Sequence, residues 1–68
     1  MSIARVTEIT STSNSSFEDA IEKAMARAAK TLKNVQGGWV KEQKVSCDEN
    51  GRINEYRVDM KVTFVLED

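Results

Sequence analysis

The clearest pattern in the chain lies near its carboxyl end, where Tyr56, Val58, Met60, Val62, Phe64 and Leu66 alternate with Glu55, Arg57, Asp59, Lys61, Thr63 and Val65. A period of two predicts a strand with one face in a core and the other in water. Upstream the period changes. Phe17, Ala20, Ile21, Ala24, Met25, Ala28 and Leu32 recur at helical spacing, and Glu18, Asp19, Glu22, Lys23, Arg27, Lys30 and Lys33 fill the opposite side; this predicts an amphipathic helix. Its acids lie in the first half and its bases in the second, as the helix dipole favours. Ser15 followed three residues later by Glu18 reads as a capping box, so the polar run Ser11 to Ser16 is a loop that launches the helix. The apolar stripe is rich in Ala, which allows a sheet to approach closely.

From Ile3 to Thr10 an alternation with β-branched character predicts another strand, neither face of which is strongly apolar. The helix is expected to end between Asn34 and Gly38, with Gly37-Gly38 supplying positive φ. An extended segment follows from Trp39 to Cys47, and then Asp48-Glu49-Asn50-Gly51, whose Asn-Gly pair is a strong hairpin signal. The expected fold class is α+β: β-α-β-β, a three-stranded antiparallel sheet with one helix on one face, as a single domain over residues 1–68.

The hairpin admits two registers. A two-residue Asn50-Gly51 loop sets Lys44 opposite Arg57 and Glu42 opposite Asp59, two like-charge pairs that destabilise a sheet. An odd-length loop or a bulge sets Lys41 opposite Asp59 and Gln43 opposite Arg57, which is chemically better. The second register is therefore expected. It places Trp39, Lys41 and Gln43 with Arg57, Asp59 and Lys61 on the face away from the helix. A Trp among charges on an open sheet face calls for a cover, another subunit or a ligand.

Composition sharpens this picture. With 68 residues, 31% of them charged, no Pro, no His and one Cys, the chain buries only about 60% of its unfolded surface. A lone Cys forms no internal disulfide, and without His or a second Cys there is no zinc site of the usual kind. Self-association is the remaining source of stability. Ten basic and eleven acidic residues leave a net charge of -1, so there is no positive field for nucleic acid or for an anionic membrane. No stretch has the apolar length of a signal peptide or a membrane span. A soluble, cytoplasmic protein with Cys47 as a free thiol is expected.

Enzyme readings fare poorly. Nucleophilic catalysis by Ser or Cys needs a neighbouring base, and there is no His to serve. Glu42 and Asp59 form the minimal kit for acid–base work or a hard cation, although charged sheet residues are commonly solvated or cross-paired. Asp48 to Gly51 is too short for a calcium loop. Gly37-Gly38 follows a helix instead of opening one, so it is no phosphate loop. Trp39 is the residue to single out. It begins a strand beside Gly37-Gly38, with Lys41, Gln43 and Arg57 as donors, and suits either a flat aromatic ligand or an interface anchor.

The β-α-β-β order, the opening Arg5-Val6-Thr7-Glu8-Ile9, the polar loop before Ser16-Phe17-Glu18-Asp19-Ala20-Ile21, and the closing Glu55-Tyr56-Arg57-Val58 with Lys61-Val62-Thr63-Phe64-Val65-Leu66-Glu67 resemble dodecins. The resemblance spans Ile3 to Glu67. It implies a homo-oligomer, a hollow dodecameric shell in which the sheet curls around the helix. It also implies storage or buffering of riboflavin or FMN without turnover. In flavin-binding members a Trp near the start of the second strand stacks on the isoalloxazine, a Gln on the third strand bonds its pyrimidine edge, and an acidic residue contacts the ribityl chain. Matched residue by residue, the acid falls on Glu42, the Gln position on Arg57, and the stacking position on Gly37, with Trp39 two residues later on the same strand face. The expected site is Trp39 and Arg57, with Gln43, Glu42, Lys44 and Gly37 around them. Some dodecins bind coenzyme A or calcium, so the alternative is a flavin-free assembly protein that takes a cation, coenzyme A or no small ligand.

Overall fold

The computed structural model describes residues 2–66, so Met1 and the terminal Glu67 and Asp68, Glu67 being the end of the motif quoted above, lie outside the described residues. The elements run β1 (Ile3–Ser13), α1 (Phe17–Thr31), β2 (Val35–Cys47) and β3 (Ile53–Leu66). All pairing is antiparallel in the order β1-β3-β2, with β3 in the centre. That placement explains the strength of its alternation: paired on both edges, β3 buries Val58, Met60 and Val62 on one face only. Ala20, Ala24 and Ala28 of α1 are buried against this face. Ile9, Phe17, Ile21, Met25 and Val40 flank the cluster, and Phe17 meets Tyr56 edge to face with ring centroids 5.1 Å apart.

The helix boundaries differ from expectation, each for a local reason. The N-cap is Ser16, not Ser15. Its hydroxyl accepts from the Asp19 amide at 3.0 Å, while β1 continues through Ser11–Ser13. Ser13 is buried; its hydroxyl donates to Asp19 Oδ2 at 2.6 Å and accepts from the Ser15 and Ser16 amides. Hydroxyls that satisfy backbone groups this way let a serine run end a strand and start a helix without a flexible linker. At the other end the cap is Leu32, and the left-handed residue is Asn34 (φ 61°), not Gly37 or Gly38, which lie inside β2. Asn tolerates that conformation, and the Val65 amide donates to the Asn34 carbonyl at 3.0 Å, tying the reversal to β3.

The expected hairpin register is corrected. The turn is odd: Asp48 N–H donates to the Arg52 carbonyl at 2.9 Å, Gly51 N–H to the Asp48 carbonyl at 3.0 Å, and only Gly51 has positive φ (81°). This sets Cys47 opposite Ile53, but an irregularity follows at once, with Ser46 opposite Glu55. From there Lys44 lies opposite Arg57 and Glu42 opposite Asp59, the two like-charge pairs that the expected register avoided. A second irregularity, at Lys41, returns the strand to Val40 opposite Met60 and Trp39 opposite Lys61.

The strands outrun the helix. Fifteen helical residues span about 22 Å and fourteen extended ones about 46 Å, and the longest dimension of the chain is 53 Å. The radius of gyration is 14.2 Å, against about 11 Å for a compact domain of this length. Exposed apolar side chains are correspondingly many: Ile3, Val6, Trp39, Val45, Ile53 and Leu66.

Candidate functional site

Strand alternation sorts the candidate residues into two faces. Val58 and Met60 point to the helix, so Arg57, Asp59 and Lys61 point away, and so do their partners Lys44, Glu42 and Trp39. Gly37, opposite Thr63, shares this open face. Gln43 does not. It lies opposite the buried Val58 and therefore on the helix side, because the extra residue at Lys41 inverts the facing of the stretch that follows.

Trp39 is 52% exposed. Across from it is Lys61, and across from Lys61 on β1 is Glu8. Lys61 Nζ lies 3.1 Å from Glu8 Oε1 and Lys41 Nζ 3.5 Å from the same oxygen. The Lys61 hydrogen bond, and after it the charge of Lys41, hold the Glu8 carboxyl below its ordinary range. Two ammonium groups around one carboxylate leave this corner positive beside an electron-rich indole.

On one side of Trp39 the sheet surface is bare. A Cβ placed on Gly37 would meet nothing within 4 Å, and the next positions across are Thr63 and the exposed Val6. Gly38, by contrast, allows close strand contact: a Cβ there would fall onto the Lys61 carbonyl oxygen. On the other side come two charged rows. Glu42 opposes Asp59, which accepts from the Thr10 hydroxyl at 3.0 Å. Lys44 opposes Arg57. Pairs along the strands moderate the repulsion, Lys44 with Glu42 at 3.6 Å and Arg57 with Glu55 at 3.5 Å.

This arrangement offers a flat shelf over Gly37, Thr63 and Val6, walled by an indole and followed by acidic and basic rows. Five of the six expected residues, Gly37, Trp39, Glu42, Lys44 and Arg57, share it. They do not converge on one point. Gly37 and Trp39 are about 7 Å apart along the strand, and the four residues from Lys61 to Arg57 set Trp39 and Arg57 about 13 Å apart. Both therefore reach one planar ligand only along its length or across a subunit boundary. Sequence reasoning placed Lys61 on the open face with Trp39 without assigning it to the site, and missed Glu8, Thr10 and Val6. The opposite charges of Glu8 and Lys61 on alternating strands were a usable signal once β1 was paired with β3. Among the described residues no group of three or more His, Cys, Asp or Glu side chains is placed to hold a metal ion, and no helix is long and apolar enough to cross a membrane. Cys47 is exposed and free.

Comparison with known proteins agrees with this architecture. A family model described as Dodecin matches residues 3–67. A dodecin of Thermus thermophilus is 41% identical over 61 residues, 90% of this chain and 87% of its own length. A calcium dodecin of Mycobacterium tuberculosis is 34% identical over 66 residues, 97% and 92% of the two chains. The crystal structure of an Arg-to-Ala variant of the T. thermophilus dodecin superposes with a TM-score of 0.90 at 37% identity, covering 100% of both chains. The dodecin of Streptomyces davaonensis gives 0.90 at 34% identity over 98% and 97%. With the strand order, the helix and the full-length match in agreement, the chain belongs to the dodecin family.

Proposed function

We propose that this chain is a non-catalytic flavin-binding protein that stores or buffers riboflavin or FMN in a homo-oligomeric shell of twelve copies, and that the ligand lies on the open sheet face at Trp39. One observation carries the reading. The only Trp of the chain stands half-exposed beside bare backbone at Gly37, on the face turned from the core. An indole that has lost no packing partner inside the protomer is free to stack on an isoalloxazine, and Gly37 leaves the floor beside it open for the ring. Arg57 and Lys44 supply donors for ring carbonyls or a terminal phosphate, and Glu42 an acceptor for ribityl hydroxyls. Gln43, facing the helix side, has no part in this site.

Titration of the purified protein with riboflavin and FMN, followed by the flavin absorption band and by Trp39 fluorescence, tests it. Saturable binding with quenched indole emission is expected, and Trp39→Ala is expected to weaken binding at least about tenfold, the loss of one stacking contact. Unchanged affinity in Trp39→Ala removes Trp39 from the site. Absence of binding removes the flavin.

A second reading is favoured by the relative named as a calcium dodecin and by the direct opposition of Glu42 and Asp59. Two carboxylates and the Thr10 hydroxyl supply part of a calcium shell, which takes six to eight oxygens; a second subunit or water would complete it. Calorimetry with calcium alone separates the readings, because the cation reading requires heat that Glu42→Gln abolishes and Trp39→Ala leaves intact.

A further inference from the structure

The helix does not fill the space over β1. Thr7, Ile9 and Ser11 alternate with exposed residues and face α1. The helix meets them with small side chains, the buried Ala24 and Ala28. A groove of about 550 Å³ remains between the two elements, within the size range of small-molecule sites. Because β1 is an edge strand, paired only with β3, the groove opens along the flank of the chain.

One hydrogen bond sets the direction of this groove. The Ser13 hydroxyl donates to Asp19 Oδ2, which brings the end of β1 to the start of α1, and from there the two elements run side by side. Ser11, about 7 Å back along the strand, comes level with Lys23, about 6 Å on along the helix, and Thr7 comes level with Leu32, each about 20 Å away. The lining is graded accordingly. Ser11, Lys23 and Arg27 give one end a hydroxyl and two bases, whereas Ile9, Ala28 and Leu32 make the rest aliphatic. No acidic and no aromatic side chain lines the groove among the described residues, in a chain with eleven acids against ten bases. Lys23 is paired with Asp19 at 2.9 Å. Arg27 is exposed and has no ion pair among the described residues.

We infer that the α1–β1 groove binds a small amphipathic anion, a carboxylate on a flexible hydrocarbon tail. The carboxylate takes the Arg27 guanidinium fork, with the Ser11 hydroxyl as a further donor. The tail runs over Ile9 and Ala28 toward Leu32, where burial of apolar surface holds it. Walls without an aromatic ring offer a flat ligand nothing to stack on, so an alkyl chain suits them better. This site lies on the helix side of the sheet, apart from the ligand proposed at Trp39.

Calorimetric titration of the wild-type assembly with octanoate tests it, with Trp39 emission recorded alongside. Saturable binding approaching one octanoate per chain is expected, and Trp39 emission is expected to stay unchanged because the indole lies across the sheet. Acetate, the head without the tail, and octanol, the tail without the head, are each expected to bind at least about tenfold more weakly. Arg27→Glu alters an exposed side chain and is expected to weaken octanoate at least about tenfold, with circular dichroism and any riboflavin titration as in wild type. Thr7→Phe fills the groove with a residue that strands accept and is expected to have the same effect. Absence of saturable binding, as when a neighbouring copy seals the groove, overturns the inference. So does octanol binding as tightly as octanoate, wild-type affinity in Arg27→Glu, or octanoate binding that quenches Trp39.

Discussion

Gly37 and Gly38 are adjacent, both lie in β2, and neither has positive φ, yet adding one methyl to each should have opposite effects. At Gly38 the new Cβ falls onto the Lys61 carbonyl oxygen and lies 3.3 Å from Val62 Cα. Both neighbours are backbone of the central strand, so no side chain can turn aside, and the two strands must move apart where Val62 is fully buried. Overpacking of this kind costs about 1–3 kcal/mol. Removing a glycine lowers unfolded-chain entropy and returns about 0.4–1 kcal/mol. The net for Gly38→Ala is a loss of about 1–2 kcal/mol, or roughly 4–16 °C in melting temperature for a domain of this size. Gly37→Ala meets open space and should gain a few degrees by the same entropy term. The assay is thermal unfolding at matched protomer concentration, because oligomers melt in a concentration-dependent way. If Gly38→Ala melts within a degree or two of wild type, or Gly37→Ala loses as much as Gly38→Ala, the close-approach argument is wrong.

Ser16→Ala removes the hydroxyl that accepts from Asp19 N–H and is expected to cost about 1 kcal/mol, read by denaturant titration. Gly51→Ala forces a Cβ into φ 81° and is expected to cost about 1–2 kcal/mol by the same titration, with the hairpin amides of Asp48 and Gly51 exchanging faster with solvent deuterium. Val58→Ala empties a fully buried site under α1 and is expected to cost about 2–3 kcal/mol from lost transfer energy and the residual cavity. The Asp19 carboxyl is held below its ordinary range, first by the Ser13 hydroxyl and then by Lys23. A depressed folded pKa contributes stability that is complete above the unfolded carboxylate's value, about pH 4, and is lost as pH falls through the folded value. Melting temperature is therefore expected to drop below about pH 4, and to drop less steeply in Asp19→Asn.

What could be read in the sequence and what could not divides along physical lines. The faces of β3 and α1 were legible because each element has one buried side, and burial imposes a period on the residues themselves: Val58, Met60 and Val62 on the strand, Ala20, Ala24 and Ala28 on the helix. The capping of α1 was legible in kind but misplaced by one residue, since four serines surround the boundary and only Ser13, drawn inward to bond Asp19, decides between them. The end of the helix was misread because glycine is the usual left-handed residue, and here Asn34 takes that role. Once Asn34 closes the turn, Gly37 and Gly38 are released into β2, where one leaves a shelf open and the other lets the strands meet. The candidate site was legible as far as it depends on Trp39, a large aromatic side chain with no place in either apolar stripe. Lys61 was read onto the same face, but its ion pair with Glu8 was not, because the two come together only through the β1–β3 pairing.

The position of Gln43 follows from the extra residue at Lys41, which the surface charges alone do not anticipate. Keeping Val40 opposite Met60 and running β2 on without an extra residue would avoid two like-charge pairs, each costing about 0.2–1 kcal/mol on an exposed face. The same register would turn Glu42 and Lys44 toward the helix side, over Val58 and Tyr56, and turn Val45 out to the wet face. The helix-side positions stay exposed in this part of the hairpin, but a charge there would displace Val45 from beside Tyr56. Inserting Lys41 as an extra residue sends Glu42 and Lys44 to the open face, where they pair with each other at 3.6 Å, and brings Gln43 and Val45 to the apolar side. The misfit with the turn is absorbed by the irregularity between Ser46 and Cys47. The observed register thus keeps Val45 on the side of Tyr56 and the charges of Glu42 and Lys44 on the open face. The like-charge rows Glu42–Asp59 and Lys44–Arg57 are its consequence, and they leave on the open face both the acidic pair and the basic pair available to a ligand or to a neighbouring subunit.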